Sequence, residues 1–182
     1  MVSFIEQVNN LNLDNDASII LIGGDDSYLV ECLLEKGFKN ITILDEYDCD
    51  QDKKKTELGD LFSEVNWVLS KVSDYIPDRQ FDLWCDCSTF FLLNEKEAID
   101  KYIDTTIKAV SGFIILSVFS EFGCKKFNGL VVRQYGEYDL PLLFKPNFIK
   151  IKSIRVDEAT SYNIIQNFQV YVLRSNNEQL YS

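Results

Sequence analysis

The feature that most constrains the fold of this chain is a short apolar run that stops at a pair of glycines. Residues 18–22 read SIILI, and Gly23 and Gly24 follow directly. A β-branched apolar run of this length indicates a buried strand, and adjacent glycines indicate a tight turn. Residues 27–36 then place leucines at helical spacing. The segment therefore predicts a strand, a turn and a helix in succession.

The rest of the chain continues this alternation. Gly37 predicts the end of the first helix, and Asp45 closes the strand that follows. Helices are predicted at residues 53–62 and 94–110, the second being followed by a turn at Ser111-Gly112. Residues 123–146 show no regular pattern. The seven predicted strands are residues 18–22, 40–44, 66–69, 81–85, 113–119, 148–156 and 164–173, of which the last two read as an antiparallel hairpin.

Length and charge narrow the classes of function. A chain of 182 residues suits one domain, which we expect to span residues 1–182. Lys and Arg number 18 against 29 Asp and Glu, a formal charge of −11. Because Lys and Arg supply most of the strength of nucleic-acid binding, a nucleic-acid partner is unfavourable. No apolar run is long enough to cross a bilayer, and residues 1–10 lack a signal-peptide pattern, so we expect a cytoplasmic protein with no membrane partner.

Two residue types limit the chemistry. The chain has no histidine, which removes the commonest general base and the commonest metal ligand. Its five cysteines are odd in number and scattered, which favours reduced thiols over disulfides. Cys85 and Cys87 lie close together, but two thiols without a histidine or a second cysteine pair make a poor zinc site. No metal is predicted.

Four segments that follow predicted strands carry a resemblance to a known family. They are residues 21–27 (LIGGDDS), Asp45, Ser70-Lys71 and residues 82–93 (DLWCDCSTFFLL). These segments resemble small bacterial class I S-adenosylmethionine-dependent methyltransferases, whose first loop reads D-V-G-G-G-A-S-T-L-V and whose fourth segment reads D-L-W-H-D-R-A-V-F-H-F-L. The likeness extends over about residues 17–173. It implies a Rossmann-like α/β fold with a mostly parallel seven-stranded sheet, an antiparallel C-terminal strand and helices on both faces.

The resemblance implies a site for S-adenosylmethionine and a methyl acceptor that is a small molecule or a protein side chain. Asp45 lies 22 residues after Gly23, where an acid accepts hydrogen bonds from both ribose hydroxyls. Asp86 is the one polar side chain of catalytic type in the fourth segment, where it would orient or deprotonate the acceptor. The positions implied for the cofactor are Gly23, Gly24, Asp25, Asp45, Ser70 and Lys71.

The sequence also departs from the family at these positions. Leu21 replaces an acid, Asp25 replaces the third glycine, Lys71 replaces the acid that meets adenine, and Cys85 replaces a histidine. A carboxylate about 4 Å from the methionyl carboxylate costs roughly 4 kcal/mol at an effective dielectric of 20. Asp25 is also interpretable as part of a solvated turn that caps the next helix.

The acids and aromatic residues of these segments have simpler interpretations as well. Asp45 and Asp86 suit loop residues that bond nearby amides. The aromatic residues are more typical of a core than of a substrate pocket; they are Trp84, Phe90, Phe91, Phe113 and Phe119. Two hypotheses therefore stay open. One is an active methyltransferase, and the other is a catalytically inactive binding or assembly module that no longer binds the cofactor.

Overall fold

The structure is a computed structural model that describes residues 2–23, 27–46, 58–159 and 164–176. Its main strands are β1 (Ser18–Ile22), β2 (Asn40–Asp45), β3 (Asn66–Leu69), β4 (Phe81–Asp86), β5 (Val110–Phe119), β8 (Phe148–Ala159) and β9 (Ile165–Ser175). These strands form one sheet in the order β3-β2-β1-β4-β5-β9-β8. Strands β1 to β5 are parallel to one another, and β9 is antiparallel to both β5 and β8. The predicted mixed sheet is confirmed.

Helices pack on both faces of this sheet. They are α1 (Val2–Asn10), α2 (Ser27–Glu35), α3 (Lys96–Ala109) and α4 (Asp139–Leu143). Leu29 and Leu33 of α2 join α1 in one buried cluster, and Tyr102 of α3 joins α4 in the cluster on the opposite face. The helical spacing read from the sequence is therefore the spacing of buried side chains. No helix among the described residues has the length and apolar character needed to cross a membrane.

The predicted turn at Ser111-Gly112 is wrong, because both residues lie inside β5. Helix α3 ends at Ala109 and the chain enters the strand without a loop. A Cβ on Gly112 would lie 2.2 Å from the backbone carbonyl oxygen of Asp82 on β4. This glycine therefore marks a close approach of two strands rather than a turn.

The stretch from residue 123 to 146 is more regular than predicted. It holds a hairpin of β6 (Lys126–Phe127) and β7 (Leu130–Val131), in addition to α4. Asn128 and Gly129 connect the two strands with φ values of 50° and 80°. An Asn-Gly pair is the standard sequence signal for such a two-residue turn.

The predicted helix at residues 53–62 is only partly tested. Residues 53–57 lie outside the described ranges, and Gly59–Glu64 forms a 3-10 helix. The segments between β3 and β4 and after β4 contain two further 3-10 turns, Val72–Asp74 and Phe90–Leu92. The connection from β3 to β4 passes β2 and β1, because β4 lies on the far side of β1 and runs parallel to it.

Candidate functional site

The carboxyl ends of β1, β2 and β3 lie side by side at one edge of the sheet, which we call the carboxyl edge. Two backbone hydrogen bonds join them there. The N–H of Gly23 donates to the carbonyl of Leu44 at 2.9 Å, and the N–H of Ser70 donates to the carbonyl of Asp45 at 2.8 Å. The structure thus brings Gly23, Asp45 and Ser70 together, with Lys71 next along the chain.

Gly23 occupies a position that accepts no other residue without strain. Its φ is +84°, and a Cβ built on it would lie 2.4 Å from Ser88 Oγ and 3.2 Å from Thr89 Oγ1. The glycine turn is therefore packed against the loop that follows β4. Gly24 and Asp25, the other predicted members of this turn, lie outside the described residues.

The two residues predicted after β3 differ in their surroundings. Ser70 is half-buried, and its hydroxyl donates to the carbonyl of Lys71 at 3.0 Å. Lys71 is exposed and precedes the 3-10 turn with an extended backbone. An ammonium group accepts no hydrogen bond from an adenine amino group. Asp45, which is half-buried at the end of β2, and the exposed Glu46 that follows it are acids at the described part of this edge.

Asp86 is enclosed at the end of β4, where its side chain is 1% exposed. Oδ1 accepts hydrogen bonds from the backbone N–H of Ser88 at 3.0 Å and of Thr89 at 2.8 Å. Oδ2 accepts from the N–H of Phe90 at 3.0 Å and from the hydroxyl of Tyr102 at 2.6 Å. These contacts match the loop-ordering interpretation of Asp86. Its catalytic role stays a prediction, one that requires an acceptor to reach a buried carboxylate.

Burial governs the ionisation of this pair. It raises the pKa of Asp86, while the hydrogen bond from Tyr102 acts in the opposite direction. Burial and the neighbouring Asp86 raise the pKa of Tyr102 well above its usual value. Tyr102 therefore stays protonated at neutral pH and donates to the carboxylate. Trp84 Nε1 in turn donates to the Tyr102 hydroxyl at 2.8 Å.

The sequence patterns do not single out Tyr102, which lies within the helix predicted at residues 94–110. A signal was nevertheless present. A tyrosine on the buried face of a helix carries a hydroxyl that needs a partner in the core. The partner itself, Asp86, lies on another element and is not readable from helical spacing.

The aromatic residues around β4 form core rather than an open pocket. Trp84, Phe90 and Phe119 are fully buried, and Phe91 is nearly so. The ring of Phe90 packs edge-on against Tyr102, with centroids 4.8 Å apart. The core interpretation is confirmed for these four residues, whereas Phe113, the fifth, is half-buried and packs against the edge of the core.

The cysteines offer no site within the described residues. No disulfide is formed there, and no group of three metal-ligating side chains occurs. Burial raises the pKa of the Cys85 thiol well above its usual value, which keeps it protonated. Cys49 lies outside the described ranges.

A cavity of about 550 Å³ lies away from the carboxyl edge, near the amino ends of β3 and β4. Thr42, Asn66, Tyr75, Arg79 and Phe81 are among the residues that line it. Arg79 donates to the Thr42 hydroxyl at 3.3 Å and its guanidinium lies over the Phe81 ring. None of the predicted site residues that the structure describes lines this cavity.

Neither a family model nor a curated protein sequence matches the chain, whereas solved structures do. A S-adenosylmethionine-dependent methyltransferase from Methanosarcina mazei superposes with a TM-score of 0.74 at 13% identity, over 92% of this chain and 96% of that one. The N-methyltransferase NodS from Bradyrhizobium japonicum WM9, in complex with S-adenosylhomocysteine, gives 0.73 at 13% identity, over 96% and 86%.

A third similar structure is the 1,6-didemethyltoxoflavin-N1-methyltransferase of Burkholderia thailandensis, which has bound 1,6-didemethyltoxoflavin and S-adenosylhomocysteine. Its TM-score is 0.70 at 17% identity, over 95% of this chain and 76% of that one. The chain therefore has the class I methyltransferase fold, as the resemblance implied. At these identities the likeness establishes the fold alone.

Proposed function

We propose that the chain is a S-adenosylmethionine-dependent methyltransferase that binds its cofactor along the carboxyl edge and acts on a small molecule or a protein side chain. The observation that carries this proposal is the backbone hydrogen bond from Gly23 to Leu44, which sets the Gly23 turn beside Asp45. In open α/β sheets this edge is where ligands bind. The fold and the position of both residues agree with the implied cofactor site.

The described residues suit such a ligand at two points. Gly23 lets the backbone turn with a φ of +84° at the carboxyl edge, where Ser88 and Thr89 fill the space of its missing side chain. The Asp45 carboxylate is an acceptor for two ribose hydroxyls. Ser70 would border the adenine, while the exposed side chain of Lys71 supplies no acceptor for the adenine amino group.

The absence of histidine is compatible with methyl transfer. The cofactor would supply an activated methyl group on a sulfonium, and displacement at that carbon depends chiefly on positioning. A general base is therefore not obligatory. Because both oxygens of Asp86 are engaged by the loop and by Tyr102, we assign Asp86 the ordering of the loop after β4 rather than proton abstraction.

A second candidate function is a binding or assembly module that has kept the fold and lost the cofactor. The exposed Lys71 and the buried Leu21, which stand where the family has acids, favour it. The two candidates differ in one measurable property. An active enzyme binds S-adenosylmethionine and its demethylated product, and the module binds neither.

Calorimetric titration with S-adenosylmethionine and S-adenosylhomocysteine separates them. We expect saturable binding to the wild type and a loss of about tenfold or more in affinity in Asp45→Ala, because two charge-assisted hydrogen bonds are removed. Asp104→Ala is the matched control, since it removes the same charge from an exposed position on α3. No binding at millimolar ligand would contradict the enzyme and support the module. If Asp45→Ala and wild type bind the cofactor with equal affinity, the cofactor does not bind at the carboxyl edge.

A further inference from the structure

A chain of buried hydrogen bonds connects helix α3 to the loop after β4. Trp84 donates to Tyr102 at 2.8 Å, and Tyr102 donates to Asp86 at 2.6 Å. All three side chains are at most 1% exposed. Buried polar groups that are fully paired in this way hold a single arrangement, because breaking any link leaves a desolvated group without a partner.

The far end of this chain orders three consecutive backbone amides. Asp86 accepts hydrogen bonds from the N–H groups of Ser88, Thr89 and Phe90. These bonds hold a sharp turn of the polypeptide just past the end of β4. Tyr102 shares Oδ2 of Asp86 with Phe90. The position of the carboxylate, and through it the course of the loop, therefore depends on a hydroxyl that is 16 residues away in sequence.

The ordered loop packs on the glycine turn. The hydroxyls of Ser88 and Thr89 occupy the space that a side chain on Gly23 would need. Ser88 Oγ also approaches the carbonyl of Ile22 at 3.4 Å. Contact is thus continuous from Tyr102 through Asp86 and the loop to Gly23.

We propose that Tyr102 is a positioning residue for the cofactor site at the carboxyl edge: its hydroxyl holds Asp86 so that Ser88 and Thr89 form a fixed wall against the Gly23 turn. The proposal rests on the proposed function of that edge. Tyr102 itself is buried under the loop and acts through Asp86. Removing the Tyr102 hydroxyl lets the Asp86 carboxylate rotate toward other donors. Ser88 and Thr89 are then no longer held against the Gly23 turn.

Tyr102→Phe tests this against a matched control. Tyr171 lies on strand β9, far from Gly23. It is also fully buried, and its hydroxyl donates to the carbonyl of Gly136. We expect Tyr102→Phe to weaken binding of S-adenosylhomocysteine about tenfold by calorimetry, and Tyr171→Phe to leave it within about twofold, both measured well below the unfolding temperature. Equal affinities of wild type and Tyr102→Phe, or equal losses in both variants, would overturn the proposal.

Amide exchange followed by NMR supplies a readout that needs no ligand. In Tyr102→Phe the amides of Ser88, Thr89 and Phe90 should exchange about tenfold faster than in wild type, while those of β9 keep their rates. A uniform increase throughout the protein would mean general destabilisation and would refute the positioning role. If Tyr102→Phe does not fold, Trp84→Phe replaces it, because it removes the donor that fixes the Tyr102 hydroxyl and leaves Asp86 in place. Faster exchange confined to the amides of Ser88, Thr89 and Phe90 would then support the proposal, and unchanged exchange there would count against it.

The calorimetry also distinguishes the two proposals. A wild-type chain that does not bind S-adenosylhomocysteine removes the proposed function, and the positioning role goes with it. A wild-type chain that binds while Tyr102→Phe binds equally well leaves the proposed function in place and removes only the role of Tyr102.

Discussion

Replacing Gly23 with alanine introduces two separate costs at the carboxyl edge. The first is backbone strain, because Gly23 has a φ of +84° and left-handed backbone costs an L-residue about 1–2 kcal/mol. The second is steric and smaller, because the new Cβ would lie 2.4 Å from Ser88 Oγ, the end of a side chain that can rotate away by giving up its contact with the Ile22 carbonyl. Displacing a side-chain end in this way costs about 1 kcal/mol, the low end of the range for overpacking. We therefore expect Gly23→Ala to lower the free energy of unfolding by about 2–3 kcal/mol.

Two further variants separate these costs. Gly129 has a similar φ of +80° with no atom within 4 Å of a built Cβ, so Gly129→Ala should show the backbone cost alone. In a Ser88→Ala background the steric cost of Gly23→Ala should largely disappear, giving a coupling of about 1 kcal/mol in a double-mutant cycle. Urea denaturation followed by circular dichroism measures all of these. Equal losses for Gly23→Ala and Gly129→Ala, with no coupling to Ser88, would refute the packing of the turn against the loop after β4.

Three other predictions concern the sheet, the buried acid and the cofactor edge. Gly112→Ala should destabilise the protein by about 1–3 kcal/mol in urea denaturation, because its Cβ would meet the backbone oxygen of Asp82 at 2.2 Å; a neutral effect would disprove the close approach of β4 and β5. Burial raises the pKa of Asp86 above its ordinary value of 3.8, so its charged form opposes folding and its contribution to stability falls as pH rises through the folded-state pKa. The unfolding free energy of wild type relative to Asp86→Asn should therefore increase on going from pH 7 toward pH 4, and a decrease would contradict the direction of the shift. Asp25→Gly combined with Lys71→Asp should strengthen binding of S-adenosylmethionine in calorimetry, and no gain over wild type would show that these two residues do not limit affinity.

The strands were predictable where an apolar run ends at a residue that favours a turn or solvent, such as glycine or aspartate. Residues 18–22 and 66–69 are strands with the predicted bounds, and Gly37 ends the helix that precedes β2. Hydrophobic periodicity reports which side chains are buried, and that decides the type and place of an element. Asp45 was placed correctly for the same reason, because it is the residue at which β2 leaves the core.

The contacts of the site were less predictable, since they join residues that are far apart in sequence. Ser111-Gly112 reads locally as a turn, yet the approach of Asp82 on a neighbouring strand explains the glycine. The bond between Tyr102 and Asp86 likewise depends on how α3 packs over β4. Secondary-structure propensity and hydrophobic spacing describe one helix or strand at a time. They do not show which residues of different elements are in contact.

The position of bound S-adenosylhomocysteine in a crystal structure tests the central claim most directly. The account predicts the ligand at the carboxyl edge, with its ribose hydroxyls bonded to the Asp45 carboxylate and backbone of the Gly23 turn close beside it. Crystals grown with millimolar S-adenosylhomocysteine that show the ligand elsewhere, or show none at this edge, would contradict it.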